Sequence, residues 1–416
     1  MTRDAINRNL EIFAVLLFSV SVFLWKPGIY VSSSVIISYM MVRSATDAAY
    51  LSELRSCSVM RVSLALFVFG LITSAIAMQQ ADDFLWMARK TLFLPVAGFL
   101  FIALQKTQNR KAALTGLFIG FWVAAIITLA ENWTIIGKDF VVGTWPKGTW
   151  DALLGLCFVF LLLFLIGQRH GVVMRLFVAL CALCAFILLL LSGGRGPFLA
   201  TVCAVCAYLV LFKVNVRLLV SIVAMIAVLT GGSVIFFKDK TQYTIKQLTS
   251  LTDFKDGSNW IRLKLWGIGY EHIKETGANR PMALLFGGGS KSYDETQIEF
   301  FETLPYDEDD RRRLKEFGYP SGDAHNNYID STLRNGLLWT FAAFAYLAWL
   351  TTRFKMACVL ANPAPLAMFL YMLVLGMVYT VVPHFITFFF VFFVALLATG
   401  LRKEPDTEPA YSKSTD

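Results

Sequence analysis

Between Ala152 and Phe212 the chain reads ALLGLCFVFLLLFLIGQRHGVVMRLFVALCALCAFILLLLSGGRGPFLATVCAVCAYLVLF. Three apolar runs, Ala152–Gly167, Val172–Leu191 and Pro197–Phe212, are divided by two short polar breaks. A helix that crosses a bilayer needs about 20 apolar residues, fewer where it is short or buried in a bundle. Hydrocarbon offers no partner to an open backbone group, so runs of this length are read as helices. The cysteines fit that reading. Cys181 with Cys184, and Cys203 with Cys206, imitate the spacing of a four-thiolate metal site. Each pair lies inside an unbroken apolar run and on one helix face, which suits small side chains at helix–helix contacts.

The pattern continues in both directions. Of 416 residues, 57% are hydrophobic and only 16% charged, against about a quarter charged in a soluble domain. Runs at Ile12–Trp25, Gly28–Val42, Val62–Met78, Phe84–Leu104 and Ala112–Ala130 precede the opening stretch. Leu218–Phe237, Leu337–Thr351, Pro365–Val382 and Phe385–Leu401 follow it, for roughly twelve spans in all. No small-residue cleavage site follows the first run, which is therefore read as a span and not as a signal peptide. The expected fold is an all-α polytopic membrane protein. Residues 1–237 hold nine spans with short loops, 238–336 a large hydrophilic segment with its own helices, 337–401 three more spans, and 402–416 a tail.

Lys and Arg set the orientation. With the N-terminus in the cytoplasm, the inner segments collect Arg3, Arg8, Arg43, Arg55, Arg61, Lys106, Arg110, Lys111, Arg169, Arg175, Lys213, Arg217, Arg353, Lys355, Arg402, Lys403 and Lys413. The short outer loops hold only Lys26, Lys138, Lys147 and Arg195. Both termini are then expected inside and the large segment outside. That segment carries 14 Lys/Arg and 16 Asp/Glu, so it is near neutral and no nucleic-acid surface. Within it, Tyr243–Thr252 and Trp260–Glu275 look helical, the second with an apolar face through Ile261, Leu265, Ile268 and Ile273.

Polar residues with chemical potential gather at the expected outer face. Ser192-Gly-Gly-Arg195-Gly-Pro197 joins two spans. Its open backbone N–H groups, a helix start and a guanidinium together suit a phosphate at membrane level; the plainer reading of Arg195 is a snorkelling side chain. Arg262 is followed one helical turn later by Trp266, a pair that suits an anion or sugar contact, or simply interfacial anchoring. Leu285-Phe-Gly287-Gly-Gly289 is either an anion nest or a close backbone crossing. Gly322-Asp-Ala-His325-Asn326-Asn-Tyr328 precedes the tenth span. His325 can accept a proton from an attacking hydroxyl, with Asp323 or Asn326 orienting the other ring nitrogen, or it can belong to an Asx-rich helix cap. Arg89 and Lys90 interrupt the fourth run and either face an anion or mark a later start of the span. His170, His272 and His384 are weaker candidates, His272 being read as a surface residue. Asp307–Asp310 is followed by Arg311–Arg313 and Lys315, which reads as a self-paired charged helix and not as a metal site.

Taken in order, Ser192-Gly-Gly-Arg195-Gly, Arg262 with Trp266, the Leu285–Gly289 turn and Ala324-His325-Asn326-Asn327-Tyr328 make the chain resemble the O-antigen ligase and polymerase superfamily. Within it the chain is most similar to the WaaL-type O-antigen ligases. The glycine turn departs from the family's more usual Gly-x-Gly with an apolar middle residue. The resemblance implies a membrane glycosyltransferase of the C type (GT-C) with no cofactor and no metal, and that the outer side is the periplasmic face of a bacterial inner membrane. Its substrates would be undecaprenyl-pyrophosphate-linked O-antigen and the lipid A-core acceptor, met among membrane lipids. It implies catalytic roles for Arg195, Arg262 and His325, and substrate contacts from Trp266, Gly287, Gly289, Asn326 and Tyr328; Arg89 and Lys90, from their position in the fourth run, are expected to add charge to the same lipid-pyrophosphate site. O-antigen polymerases and protein O-oligosaccharyltransferases draw on the same carrier and remain alternatives. A lipid-linked glycan transporter is a more remote one, since no internal repeat is visible.

Overall fold

The computed structural model describes residues 2–24, 26–134, 136, 141–167, 171–212, 257–289, 292–316, 324–353, 364–379, 381–382 and 384–400. The expected ninth span at Leu218–Phe237, the helix at Tyr243–Thr252, Asp323, His170 and the tail 402–416 lie outside the described residues.

The regular elements are helices. In chain order they are α1 (Arg3–Leu24), α2 (Lys26–Thr46), α3 (Ala48–Ser56), α4 (Ser58–Ala77), α5 (Ala81–Lys90), α6 (Phe93–Ala103), α7 (Thr107–Asn132), α8 (Lys147–Gly167), α9 (Val172–Ser192) and α10 (Arg195–Phe212). After the large segment's first part come α11 (Gly257–Asn279), α12 (Pro281–Phe286), α13 (Tyr293–Thr303), α14 (Glu308–Glu316), α15 (Asn327–Asn335), α16 (Leu337–Arg353), α17 (Ala364–Gly376) and α18 (Phe385–Gly400). Among the described residues, six stretches are long and apolar enough to cross a membrane: α1, α4, Ala81–Ala103, α7, Lys147–Ile166 and α9. Shorter apolar helices at Arg195–Val210, Leu337–Thr352, Ala364–Gly376 and Phe385–Leu397 accompany them. The chain is a polytopic membrane protein.

The fourth expected span is not one helix. It starts earlier, at Ala81, and divides at Thr91–Leu92 into α5 and α6. Pro95 has no N–H to give the Thr91 carbonyl, which instead accepts from Leu94 N–H at 3.0 Å. Arg89 and Lys90 thus close α5, where cations suit the negative end of the helix dipole.

Packing follows the apolar runs. α8 is buried along its length from Trp150 to Phe164 and takes α9, α10 and α18 around it. Phenylalanines of α18 lock the centre: Phe393 stacks on Phe160 at 4.8 Å, while Phe392 and Phe388 meet Phe18 and Phe93 edge-on at 5.6 and 5.8 Å. Cys157 and Cys181 are buried in this packing, whereas Cys206 is exposed. At one end of the bundle, buried Glu11 accepts from Arg43 (2.7 Å), Lys106 (2.8 Å), Asn109 (2.5 Å) and Tyr39 (3.0 Å), tying α1, α2 and the start of α7 together. The opposite end carries α11–α15.

There, the expected apolar face of α11 forms a small core of its own. Ile261, Leu265 and Ile268 are buried against Phe301 and Leu314. His272 continues that register and is 2% exposed, stacked on Phe300 at 4.3 Å and parallel to Tyr293 at 6.0 Å. The surface placement expected for it is therefore corrected: spacings of four residues from Ile268 and seven from Leu265 carry it onto the same inward face. The acidic run of α14 is tied by ion pairs, Asp310 to Lys264 of α11 at 2.7 Å and Asp309 to Arg312 at 2.9 Å. Glu302 of α13 pairs with Arg311 at 3.1 Å.

Candidate active site

Three local devices build the site. The first is the segment before α15. Asn326 caps α15, its side-chain oxygen accepting from Tyr328 N–H at 3.0 Å and Ile329 N–H at 3.3 Å. Asp330, fully buried, reaches back past the cap. Its two oxygens accept from Ala324 N–H (2.8 Å) and Asn326 N–H (3.3 Å), the amides on either side of His325. Held this way, His325 adopts a left-handed backbone with φ of 50°, alone in this among the described non-glycine residues. Such a conformation is unfavourable for an L residue and persists only where its surroundings impose it. Asn327 then pins the segment to the chain after α17, accepting from Val381 and Val382 N–H at 2.7 and 2.6 Å. Tyr328 donates to the Leu373 carbonyl at 2.8 Å.

The second device is the glycine turn, where two backbones cross. Gly287 has φ of 104°, and a Cβ there would lie 2.4 Å from the Arg334 carbonyl oxygen; one on Gly336 would lie 2.4 Å from that of Leu285. Gly288 N–H donates to Leu333 at 2.8 Å. Gly289, φ 93°, lies against Asp83. That buried carboxylate accepts from Ser292 N–H and Oγ, both at 2.9 Å, and from Gln79 N–H at 3.1 Å. Gly287 and Gly289 therefore fasten the large segment to the starts of α5 and α16.

The third device is the turn before α8. Asn132 bonds Val142 in both directions, and Trp145 Nε1 donates to the Val22 carbonyl at 3.1 Å. The Trp145 ring packs on Phe385 at 5.0 Å. This lays Pro146–Thr149 across the end of the bundle. Tyr379 stands between two glycines, a Cβ on Gly148 or Gly196 falling 2.9 or 3.0 Å from its ring.

These devices enclose a cavity of about 460 Å³ lined by Lys147, Arg262, His325, Arg334, His384 and Tyr379, with Trp86 and Ser331 among the rest. No carboxylate is among its described lining residues. The structure thus brings together Arg262 and His325, although one sits on α11 and the other before α15. Arg195 opens α10 beside Gly196, on the far side of Tyr379 from Gly148. Lys90 lies at one flank, 5.5 Å from the ring of Trp86 and 4.7 Å from Phe385, within the electrostatic reach of Lys26, Arg89 and Arg334. Lys26 lies 5.5 Å from the same Phe385 ring. Trp266, one turn beyond Arg262, is not among the cavity's lining residues; its indole N–H is buried with no hydrogen-bond partner.

Sequence reasoning passed over Lys147, Arg334, Asp83, Asn327 and Asp330. Arg334 had a signal: Ser331, Arg334 and Asn335 share one helical face and all line the cavity. His384, rated a weaker candidate, also lines it. The arrangement gathers Lys147, Arg262, Arg334 and two imidazoles around one space with no carboxylate among its described lining residues, and buried Asp151 lies within electrostatic reach of Lys147; this suits a polyanion next to a group that loses a proton.

Residues 180–345 match the model of a protein family described as O-antigen ligase. No curated protein matches the chain. The matched stretch, an O-antigen ligase family domain in a helical membrane protein, runs from within α9 to within α16. It takes in Arg195, Arg262, His325 and Arg334 but leaves Lys90 of α5, Lys147 of α8 and His384 before α18 to the flanking segments.

Proposed function

We propose that this chain, with its O-antigen ligase family domain, is a C-type membrane glycosyltransferase of the bacterial inner membrane that transfers O-antigen from undecaprenyl pyrophosphate to a sugar hydroxyl of lipid A-core at the periplasmic face. The observation that carries this reading is one cavity in which Arg262 and His325 meet further cations, with no acid among the described lining residues. The acceptor oxygen attacks the anomeric carbon, its proton passes to the His325 imidazole, and the bond to the diphosphate oxygen breaks with the electron pair leaving on phosphate. Attack opposite the leaving group inverts the anomeric centre. Arg262 and Arg195 oppose the charge that develops on the diphosphate, with Lys147 and Arg334 adding to the same field. Asn326, by capping α15, and Tyr328, by anchoring it to α17, keep His325 in place. The diphosphate is already a good leaving group, so the reaction needs no nucleotide.

Reconstituted transfer tests this, with carrier-linked glycan and lipid A-core as the defined substrates and product read as a glycan ladder, with and without chelator. Arg262→Gln and His325→Ala should each lower the rate by roughly 100-fold or more, the effect of removing one pre-organised charge-stabilising group. Wild-type ladders from either variant would remove that residue from the mechanism. Carrier-linked polymer accumulating in a deletion strain separates ligase from polymerase, whose loss leaves single repeats on the core.

A further inference from the structure

A second cavity, of about 210 Å³, opens on the other side of the glycine crossing, between the end of α4 and helices α11–α13. Its only formal charge among the described lining residues is Arg280, and no carboxylate lines it. No ion pair engages Arg280 among the described residues. Thr276, one turn earlier and 5% exposed, lines the same space, and its buried hydroxyl oxygen has no hydrogen-bond partner. A buried hydroxyl without a partner is destabilising unless something else fills its place. The mouth is apolar: Ile76 is 56% and Met282 60% exposed, and Ile76 belongs to the last turn of the spanning helix α4. An exposed guanidinium with no ion pair among the described residues and an unanswered buried hydroxyl, beside exposed apolar residues at the end of a membrane span, match an anionic group carried on a lipid.

We propose that this cavity binds the phosphate-bearing head group of a membrane lipid, with Arg280 as counter-charge and the Thr276 hydroxyl donating to a phosphate oxygen. The site adjoins the catalytic cavity. Tyr293 lines the second cavity while its ring carries the guanidinium of Arg334, 4.6 Å from the centroid, and Arg334 lines the first. Gly287 and Gly288 line the second cavity and cross the backbone of Arg334 and Gly336. A lipid held here presents its sugars one layer of backbone from His325. Its assignment as the acceptor lipid rests on the transfer reaction proposed above; its assignment as a phosphate-bearing lipid does not.

The test is lipid retention by the purified full chain, read by native mass spectrometry. Four probes are used: a phosphorylated lipid A-type glycolipid, the same glycolipid dephosphorylated, phosphatidylglycerol and a polyprenyl diphosphate. Wild type should retain the phosphorylated glycolipid over its dephosphorylated form by roughly ten-fold, the contribution of one charge-assisted hydrogen bond. Arg280→Gln and Thr276→Val should reduce that preference, while polyprenyl diphosphate retention stays at the wild-type level. Phosphatidylglycerol held as tightly, and lost equally in Arg280→Gln, identifies the occupant as bulk phospholipid and still upholds the site. Phosphorylated lipid retained alike by wild type, Arg280→Gln and Thr276→Val overturns it. Arg262→Gln distinguishes the two proposals, because it impairs glycan transfer without touching retention at Arg280.

Discussion

Replacing Asp330 with Asn removes one charge and leaves the packing volume of α15 almost unchanged. In the wild type the carboxylate accepts from Ala324 N–H at 2.8 Å and Asn326 N–H at 3.3 Å, so His325 sits in a two-point clamp with φ of 50°. An amide has one oxygen and turns its NH2 toward the second backbone N–H, which loses its acceptor. Hydrogen bonds to a charged group contribute about 1.5–3 kcal/mol each, and a left-handed backbone costs an L residue about 1–2 kcal/mol. Losing one arm of the clamp therefore releases the local strain and tips His325 away from the cavity. With tenfold per 1.4 kcal/mol, kcat should fall roughly 10- to 100-fold. Arg262, Arg334 and Lys147 are untouched, so KM for the carrier-linked glycan should change by no more than about three-fold. Single-turnover and steady-state transfer, alongside thermal unfolding in detergent, separate these effects. An Asp330→Asn protein that folds normally and keeps kcat within two-fold of wild type would refute the clamp. A parallel rise in KM would show instead that Asp330 shapes the anion site.

Other substitutions probe the frame. Gly287→Ala places a methyl 2.4 Å from the Arg334 carbonyl at φ of 104°; the backbone conformation alone costs about 1–3 kcal/mol, so thermal stability and transfer should fall together, and an unchanged melting profile would contradict the crossing. Burial against Phe300 pushes the His272 imidazole down from 6.5 to about 4. Between those values the unfolded ring binds a proton that the folded one refuses, so stability is full above pH 6.5 and falls as pH drops towards 4, by at most about 3 kcal/mol. Unfolding at pH 7.5 and 4.5 should show this loss in wild type and a smaller one in His272→Phe; identical pH profiles would contradict it. Glu11→Gln takes the shared carboxylate from Arg43 and Lys106, leaving Arg43 its pairing with Asp47 at 3.6 Å. Because Lys106 is 44% exposed, the loss should fall below the ~3–5 kcal/mol of a fully buried pair; a melting temperature unchanged in detergent would dismiss the network as a stabilising device.

Much was legible in the primary structure because hydrocarbon imposes a blunt rule. Apolar runs of spanning length become helices whatever their neighbours do, so α1, α4, α7, α8 and α9 lie where composition places them. The break between α5 and α6 was not legible in the apolar run Phe84–Leu104, which reads as one span; the effect of Pro95 depends on a carbonyl four residues back. Residue chemistry also put forward Arg262 and His325, each with a plainer alternative, interfacial anchoring for the one and a helix cap for the other. The chain order of these groups says nothing about whether they meet. That depends on α11 packing on Phe301 and Leu314, on two glycine backbones crossing, and on Asn327 gripping the amides of Val381 and Val382. Lys147, Arg334, His384 and Asp330 join the site through those long-range contacts. A pattern of residues records periodicity along one helix, whereas a cavity is made by surfaces from several, and only their packing brings separate cations and an imidazole into one volume.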